Sequence, residues 1–193
     1  MPDSRRSAGN GHLSRCGALA DALERIGWET HFVLNPHAKD PRPDKINAKS
    51  GVIRLAENAG RIEAATTLQK KLSDGCTLFV IDHYEYDRDY ETAFRGWAEQ
   101  LLTIEDLPGR NHDCDILLDQ TFGRTPEEYN GRLPESAVAI CGGAYALLRK
   151  SFREHRRPSV AHHIDPNIRP SRLFVSVGAQ DTDNAISTIL DGL

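Results

Sequence analysis

The sequence predicts an α/β domain built on a doubly wound, mostly parallel sheet. Three observations carry that expectation. Short apolar runs alternate with amphipathic segments along most of the chain. Two of these runs, Thr77-Leu78-Phe79-Val80-Ile81 and Asp115-Ile116-Leu117-Leu118, are apolar at consecutive positions, as in strands covered on both faces. The first amphipathic segment is punctuated by Gly27 just past its last turn.

The elements follow in order. Leu13, Cys16, Ala20, Leu23 and Ile26 recur at three- and four-residue steps, with Arg15, Asp21, Glu24 and Arg25 between them, which predicts a helix over 13–26. Thr30 to Leu34 reads as a short strand, and residues 35–50, rich in Pro, Asp and Lys, as a loop. A second helix is expected over 60–72 and a buried strand over 77–81. A helix around 88–99, a strand around 100–104 and a buried strand over 115–118 complete the repeat. From Phe152 to Pro170 the rhythm breaks. Arg153, Arg156, Arg157, His162, His163 and Arg169 gather there with Pro158, Pro166 and Pro170, as in an interdomain linker or a solvated surface loop. Beyond it, 172–177 reads as a new strand, 178–181 as a turn and 184–190 as the start of a helix. The expected organisation is therefore a first domain over 1–152, a linker over 153–171, and over 172–193 the first strand and helix of a second nucleotide-binding unit.

Composition narrows the function. The chain has 193 residues, enough for one sizeable domain and the start of another. With 24 Lys+Arg against 28 Asp+Glu and a formal net charge of -4, nothing in the charge balance favours nucleic acid or an anionic membrane as partner. No apolar run is long enough to span a bilayer, and the first residues lack the apolar core of a signal peptide, so a cytoplasmic protein is expected. Cys16, Cys76, Cys114 and Cys141 form no CxxC pair and read as buried, reduced thiols.

Three stretches can carry chemistry. Gly9-Asn10-Gly11-His12 leads into the first helix, where glycines let the backbone turn tightly and free N–H groups attract phosphate. The positive end of a helix dipole disfavours imidazolium, so a histidine there suits general-base work; the alternative is a capping or surface histidine. Asp82, His83 and Tyr84 follow a buried strand at its carboxyl end, where ligands gather in open α/β sheets, with Asp87, Tyr90 and Glu91 opening the next helix. Turn and N-cap roles are the alternative for Asp82 and Asp87. The third stretch contains Glu105, Asp106, Arg110, His112, Asp113, Cys114 and Asp115, then Asp119-Gln120 at another strand end. It has no second His/Cys pair to complete a zinc site, and substrate contact competes with turn formation at Asp119 and Gln120. His162-His163 with Asp165 falls in the irregular segment and reads as solvated loop.

In this order the stretches GNGHLSRCGALADAL, IDHYEYDRDYE, IEDLPGRNHDCDILLDQT, GGAYALLRKSF and FVSVGAQDTDN resemble the UDP-sugar hydrolases of pseudaminic acid biosynthesis, which remove UDP from a UDP-linked 2,4-diacetamido-2,4,6-trideoxy sugar. The resemblance implies a glycosyltransferase-B-like fold of two Rossmann-like domains with the active site between them. It implies water addition at the anomeric carbon with inversion, and no metal or other cofactor. It places the catalytic histidine at His12, the Asp-x-Tyr motif at Asp82 and Tyr84, and the nucleotide-approaching turn of the second domain at Gly178, Asp181 and Asn184. With Gly9, Gly11, Asp119 and Gln120 these are the candidate site residues.

Against the family pattern the chain departs at three points. The strand before the glycine loop is expected to be absent, Ala179 stands where the family turn has a second glycine, and most of the second domain is expected to be missing. Loss of a central strand predicts poor solubility. A UDP-sugar glycosyltransferase on the same fold and an inactive sugar-nucleotide binding module are the competing readings. The sugar stereoisomer, the oligomeric state and the destination of the product, flagellin or a surface polysaccharide, are left open by the residues.

Overall fold

The computed structural model describes residues 10–34, 51–56, 61–164, 174–175 and 184–192. Within them the order is α1 (Asn10–Arg25), β1 (His31–Leu34), β2 (Gly51–Arg54), α2 (Arg61–Lys71), β3 (Cys76–Ile81), α3 (Arg88–Thr92), β4 (Ala98–Ile104), β5 (Ile116–Asp119), β6 (Val138–Cys141), α4 (Lys150–Ile164) and α5 (Ala185–Asp191). Short 3₁₀ turns lie at Pro126–Tyr129 and Gly143–Tyr145. Every strand pairing among the described residues is parallel. β1 pairs with β2, His31 opposite Gly51, and β3-β4-β5-β6 form a four-stranded sheet in chain order. The architecture is α/β with parallel sheets flanked by helices, Rossmann-like as the sequence predicts.

Strand alternation sorts the core into two layers. On one face Ile53, Ile81, Leu101 and Leu117 join Ala64, Ala65 and Leu68 of α2 and Tyr90 and Phe94 from α3 and the turn after it. On the other face Leu102, Ile104 and Leu118 are backed by Leu78, Val80, Ile116 and Ile140. Cys16 of α1 packs there, and it also packs against the separate cluster of Ala20, Phe32 and Leu34, so α1 bridges the two sheets. Helix α1 ends as Gly27 enters the left-handed region at φ 95°, with the Trp28 amide donating to the Leu23 carbonyl.

β1 and β3 are end strands of different sheets, and a cavity of about 360 Å³ lies between them under α1, walled by Leu19, Phe32, Leu78 and Val80. Among the described residues each has one edge with no ladder partner. The isolated chain is therefore expected to self-associate as its concentration rises, followed by light scattering. A monodisperse monomer that unfolds cooperatively and reversibly would count against it.

Gly75 turns the chain into β3 at φ 78°, and a Cβ there would sit 2.3 Å from the Trp97 carbonyl oxygen. Backbone strain and the clash act together, so Gly75→Ala is expected to destabilise by at least about 1–3 kcal/mol, read from a urea titration.

Several expectations change. The helix expected over 88–99 stops at Thr92, because Phe94 and Trp97 turn inward to pack against Phe79, tilted and edge-on, while Arg95 ties to Asp113 and Asp115. β4 accordingly starts at Ala98. The four-residue strands β2 and β6 were too short to read from their composition. The irregular stretch beginning at Phe152 is no loop as far as Ile164: it lies in α4, with Lys150 paired to Glu154 one turn on. Its scarcity of apolar residues hides the helical period, and an internal proline costs a helix one hydrogen bond without forbidding it. All four cysteines are free, but only Cys114 is buried outright. Residues 35–50 lie outside the described residues, as do 172–173, 176–183 and Asp165, while Phe174 and Val175 are not in a strand. No described helix is long and apolar enough to cross a membrane.

Candidate active site

His12 stands in the first turn of α1, and Asp82 is the first residue past β3. Parallel strands and the helices that follow them place strand carboxyl ends and helix starts on one edge of the domain, which is why residues 70 apart in sequence meet. His12 Nδ1 lies 2.5 Å from Asp82 Oδ1. Three residues along the same helix face, Arg15 clamps that carboxylate in a bidentate pair, Nε to Oδ2 at 2.7 Å and Nη2 to Oδ1 at 2.5 Å. Cys16 adds a thiol contact to Oδ2 at 3.3 Å.

Asp82 is 4% exposed at its side chain and His12 15%, so the carboxylate is shielded while the imidazole keeps access from outside. Burial works to raise the Asp82 carboxyl, but hydrogen bonds and charge from Arg15 and His12 outweigh it and bring it down to about 2. Burial and the neighbouring Asp82 push the Cys16 thiol far above its ordinary range, which removes it as a nucleophile. An Asp82 that stays anionic accepts a hydrogen bond from the Nδ1–H of the imidazole. In the neutral ring this leaves Nε2 as the acceptor, and Nε2 has no hydrogen-bond partner among the described residues.

Tyr84 closes the other side. Its ring meets the His12 ring edge-on, centroids 4.9 Å apart at 88°, and its hydroxyl donates to Asp106 Oδ2 at 3.0 Å. Arg15 Nη1 approaches the same oxygen at 3.3 Å. His12, Asp82, Arg15, Asp106 and Tyr84 thus form a closed ring drawn from α1 and from the ends of β3 and β4. The sequence flagged His12, Asp82 and Tyr84 together. It noted Arg15 only as a polar spacer of the helix, although its i+3 spacing from His12 marks a shared face. Asp106 was passed over within a larger acidic group, although it follows a strand end as Asp82 does.

The other candidates sit elsewhere. Asp119 is fully buried, accepting from the Thr121 amide at 2.9 Å, Arg124 Nε at 2.5 Å and the Tyr129 hydroxyl at 2.7 Å. Gln120 Oε1 accepts from the Leu147 amide at 2.8 Å. No hydrogen bond among the described residues joins either to His12. Gly11 lies inside α1, and a Cβ there would meet nothing within 4 Å. Asn184 caps α5 at φ 52° with its side chain accepting from Ser187. Gly9, Gly178 and Asp181 lie outside the described residues.

The acidic group around His112 is a structural lattice. Glu91 accepts from Thr103 and from His112 Nδ1 at 2.8 Å, both out of water, and from the part-buried Asp113 amide. His112 Nε2 lies 3.2 Å from Glu105 Oε2, a charge contact that falls short of hydrogen-bond geometry. Burial works to lower His112, yet the two carboxylates outweigh it and hold the imidazolium. Arg110 pairs with Glu105 and donates to the Tyr84 and Tyr86 carbonyls, tying this lattice to the loop that carries Tyr84. No metal-binding cluster is present among the described residues.

No family model matches the chain. The chain is similar to the UDP-2,4-diacetamido-2,4,6-trideoxy-beta-L-altropyranose hydrolase of Campylobacter jejuni, 28% identical over 108 residues that make up 55% of this chain and 36% of that enzyme. The matched stretch thus spans about a third of the relative's length. The relative is named for a UDP-sugar, and the fold of this chain is a parallel α/β framework in which the start of α1 and the end of β3 bring a histidine and an aspartate together.

Proposed function

We propose that this site is the water-activating half of a UDP-sugar hydrolase, with His12 as general base. The observation that carries the reading is the His12–Asp82 contact, locked from behind by the bidentate Arg15. In the reaction, water oxygen bonds to the anomeric carbon as its proton passes to His12 Nε2. The bond from that carbon to the diphosphate breaks and its electron pair leaves with UDP. The configuration inverts, because the base stands on the face opposite the leaving group. UDP is a good leaving group, so placing the water and stabilising charge are the protein's main tasks.

The relative's name supports a UDP-linked 2,4-diacetamido-2,4,6-trideoxyhexose as substrate and, with the sequence resemblance, a place in pseudaminic acid biosynthesis. The diphosphate would be met by Gly9 and Gly11 at the start of α1. From a second unit beginning near residue 172, joined through 153–171, it would be met by Gly178, Asp181 and Asn184. Asp119 and Gln120 would act on the substrate only by shaping the loops after β5.

Incubation of the chain with such a UDP-sugar is expected to release UDP, with oxygen from ¹⁸O-labelled water appearing at the sugar's anomeric carbon. His12→Ala is expected to lower the rate by about 10²-fold or more. Transfer to an added alcohol in preference to water would indicate a glycosyltransferase. Binding without turnover in the intact chain would indicate an inactive module.

A further inference from the structure

We infer that Asp106 is a positioning residue for this reaction, fixing the imidazole of His12 through Tyr84 and Arg15 without touching the reacting atoms. The inference rests on the reading of His12 as the base.

Asp106 is itself held rigidly. Its amide donates to Glu105 Oε1 at 2.8 Å, and its carbonyl accepts from Arg124 Nη2 at 3.1 Å. The backbone is thus pinned from both sides, by the buried lattice and by the arginine that also holds Asp119. From that platform one oxygen, Oδ2, receives both the Tyr84 hydroxyl and Arg15 Nη1. Tyr84 is half exposed on a loop, and a long aromatic side chain in that setting has several rotamers open to it. The hydrogen bond to Asp106 selects the one whose ring meets His12 edge-on. Burial first, and then the hydrogen bond to and charge of Asp106, push the Tyr84 hydroxyl up, so it stays protonated and able to donate.

Arg15 is shared between two carboxylates. Its Nε and Nη2 go to Asp82 and its Nη1 to Asp106, so the guanidinium plane is fixed at three nitrogens. His12 is consequently braced twice, at Nδ1 by Asp82 and on its ring face or edge by Tyr84. Asp106 is the common anchor of both braces. A misplacement of about 1 Å at a catalytic group costs up to about 10²-fold in rate, so an anchor outside the reacting shell has a measurable kinetic effect. The competing role is direct: Asp106 is 25% exposed at its side chain and has a route to a sugar hydroxyl.

The test compares Asp106→Asn, Tyr84→Phe and the double variant with the intact chain. It measures kcat and KM for UDP release and the ¹⁵N signals of the His12 ring. Asp106→Asn is expected to lower kcat about tenfold or more with KM within about twofold, and Tyr84→Phe to lower it similarly. The double variant should be no worse than the poorer single one, because both cut the same brace. In each variant the His12 nitrogen signals should move toward those of a ring exchanging between its two tautomers. A raised KM at unchanged kcat would make Asp106 a sugar ligand and overturn the inference. So would unchanged kcat and unchanged ring signals. If the intact chain releases no UDP, the hydrolase reading fails by itself. The ring signals then still decide whether Asp106 positions His12, since Tyr84→Phe alters only an exposed hydroxyl and leaves the fold intact.

Discussion

Asp82→Asn is expected to lower kcat for UDP release by about 10²- to 10⁴-fold, the largest loss of any single change that keeps the shape of the site. A loss near the upper figure is what an asparagine in place of a triad aspartate causes by favouring the wrong histidine tautomer. The amide offers one acceptor oxygen where the carboxylate offers two. Asp82 Oδ1 takes contacts from His12 and Arg15, and Oδ2 from Arg15 and Cys16. With an amide NH₂ facing Nδ1, the imidazole turns its lone pair inward and its N–H toward the water it should deprotonate. Stopped-flow or end-point UDP assays with circular dichroism of the same sample check the claim. Full activity in a folded Asp82→Asn protein would show that the carboxylate does not set the tautomer.

Glu91→Ala is expected to be the most destabilising single change, by about 3–5 kcal/mol, because it strips a fully buried histidine and a part-buried backbone amide of an ionic partner at once. Thr103 loses its acceptor too. Urea unfolding followed by tryptophan fluorescence would show the midpoint collapse, and a shift within about 1 kcal/mol, on the order of an exposed ion pair, would exclude the lattice as a stabilising unit. The same lattice sets a pH window. His112 is raised in the folded state above its ordinary 6.5, so its contribution is fully present below about that pH and is lost as pH climbs through the raised value. Glu105 is lowered below its ordinary 4.5: burial opposes this, and the charge contact with His112 together with hydrogen bonds from two backbone amides and Arg110 prevail. Its contribution is present above that pH and fades as acid approaches the lowered value. Stability should therefore be greatest between the two and fall on either side.

Much of this was legible in the residues, for identifiable reasons. Consecutive apolar runs announced β3 and β5 because both faces of those strands are covered, and the i, i+3, i+4 pattern with Gly27 announced α1. Elements whose stability comes from their neighbours were not legible. β2 and β6 are four residues each and exist through pairing with β1 and β5. Helix α3 is cut short by an aromatic cluster whose members lie in β3 and the turn before β4, a tertiary cause invisible along the chain. At the site, a glycine-containing stretch leading into a helix pointed to His12 and a strand end to Asp82 and Tyr84, while the ring that joins them through Arg15 and Asp106 depends on which oxygens face each other. Asp119 carried the same strand-end signal and turned out to be spent on Arg124 and Tyr129.

Arg110 has a consequence for any mutational survey of this protein. One guanidinium grips Glu105 in the interior and, at its other nitrogen, the main chain of the loop bearing Tyr84. Damage to the interior should travel outward along that side chain and reach the imidazole as a loosened loop. A variant far from His12 would then lose turnover before it loses its fold, and loss of activity alone would overstate the number of groups that take part in the chemistry.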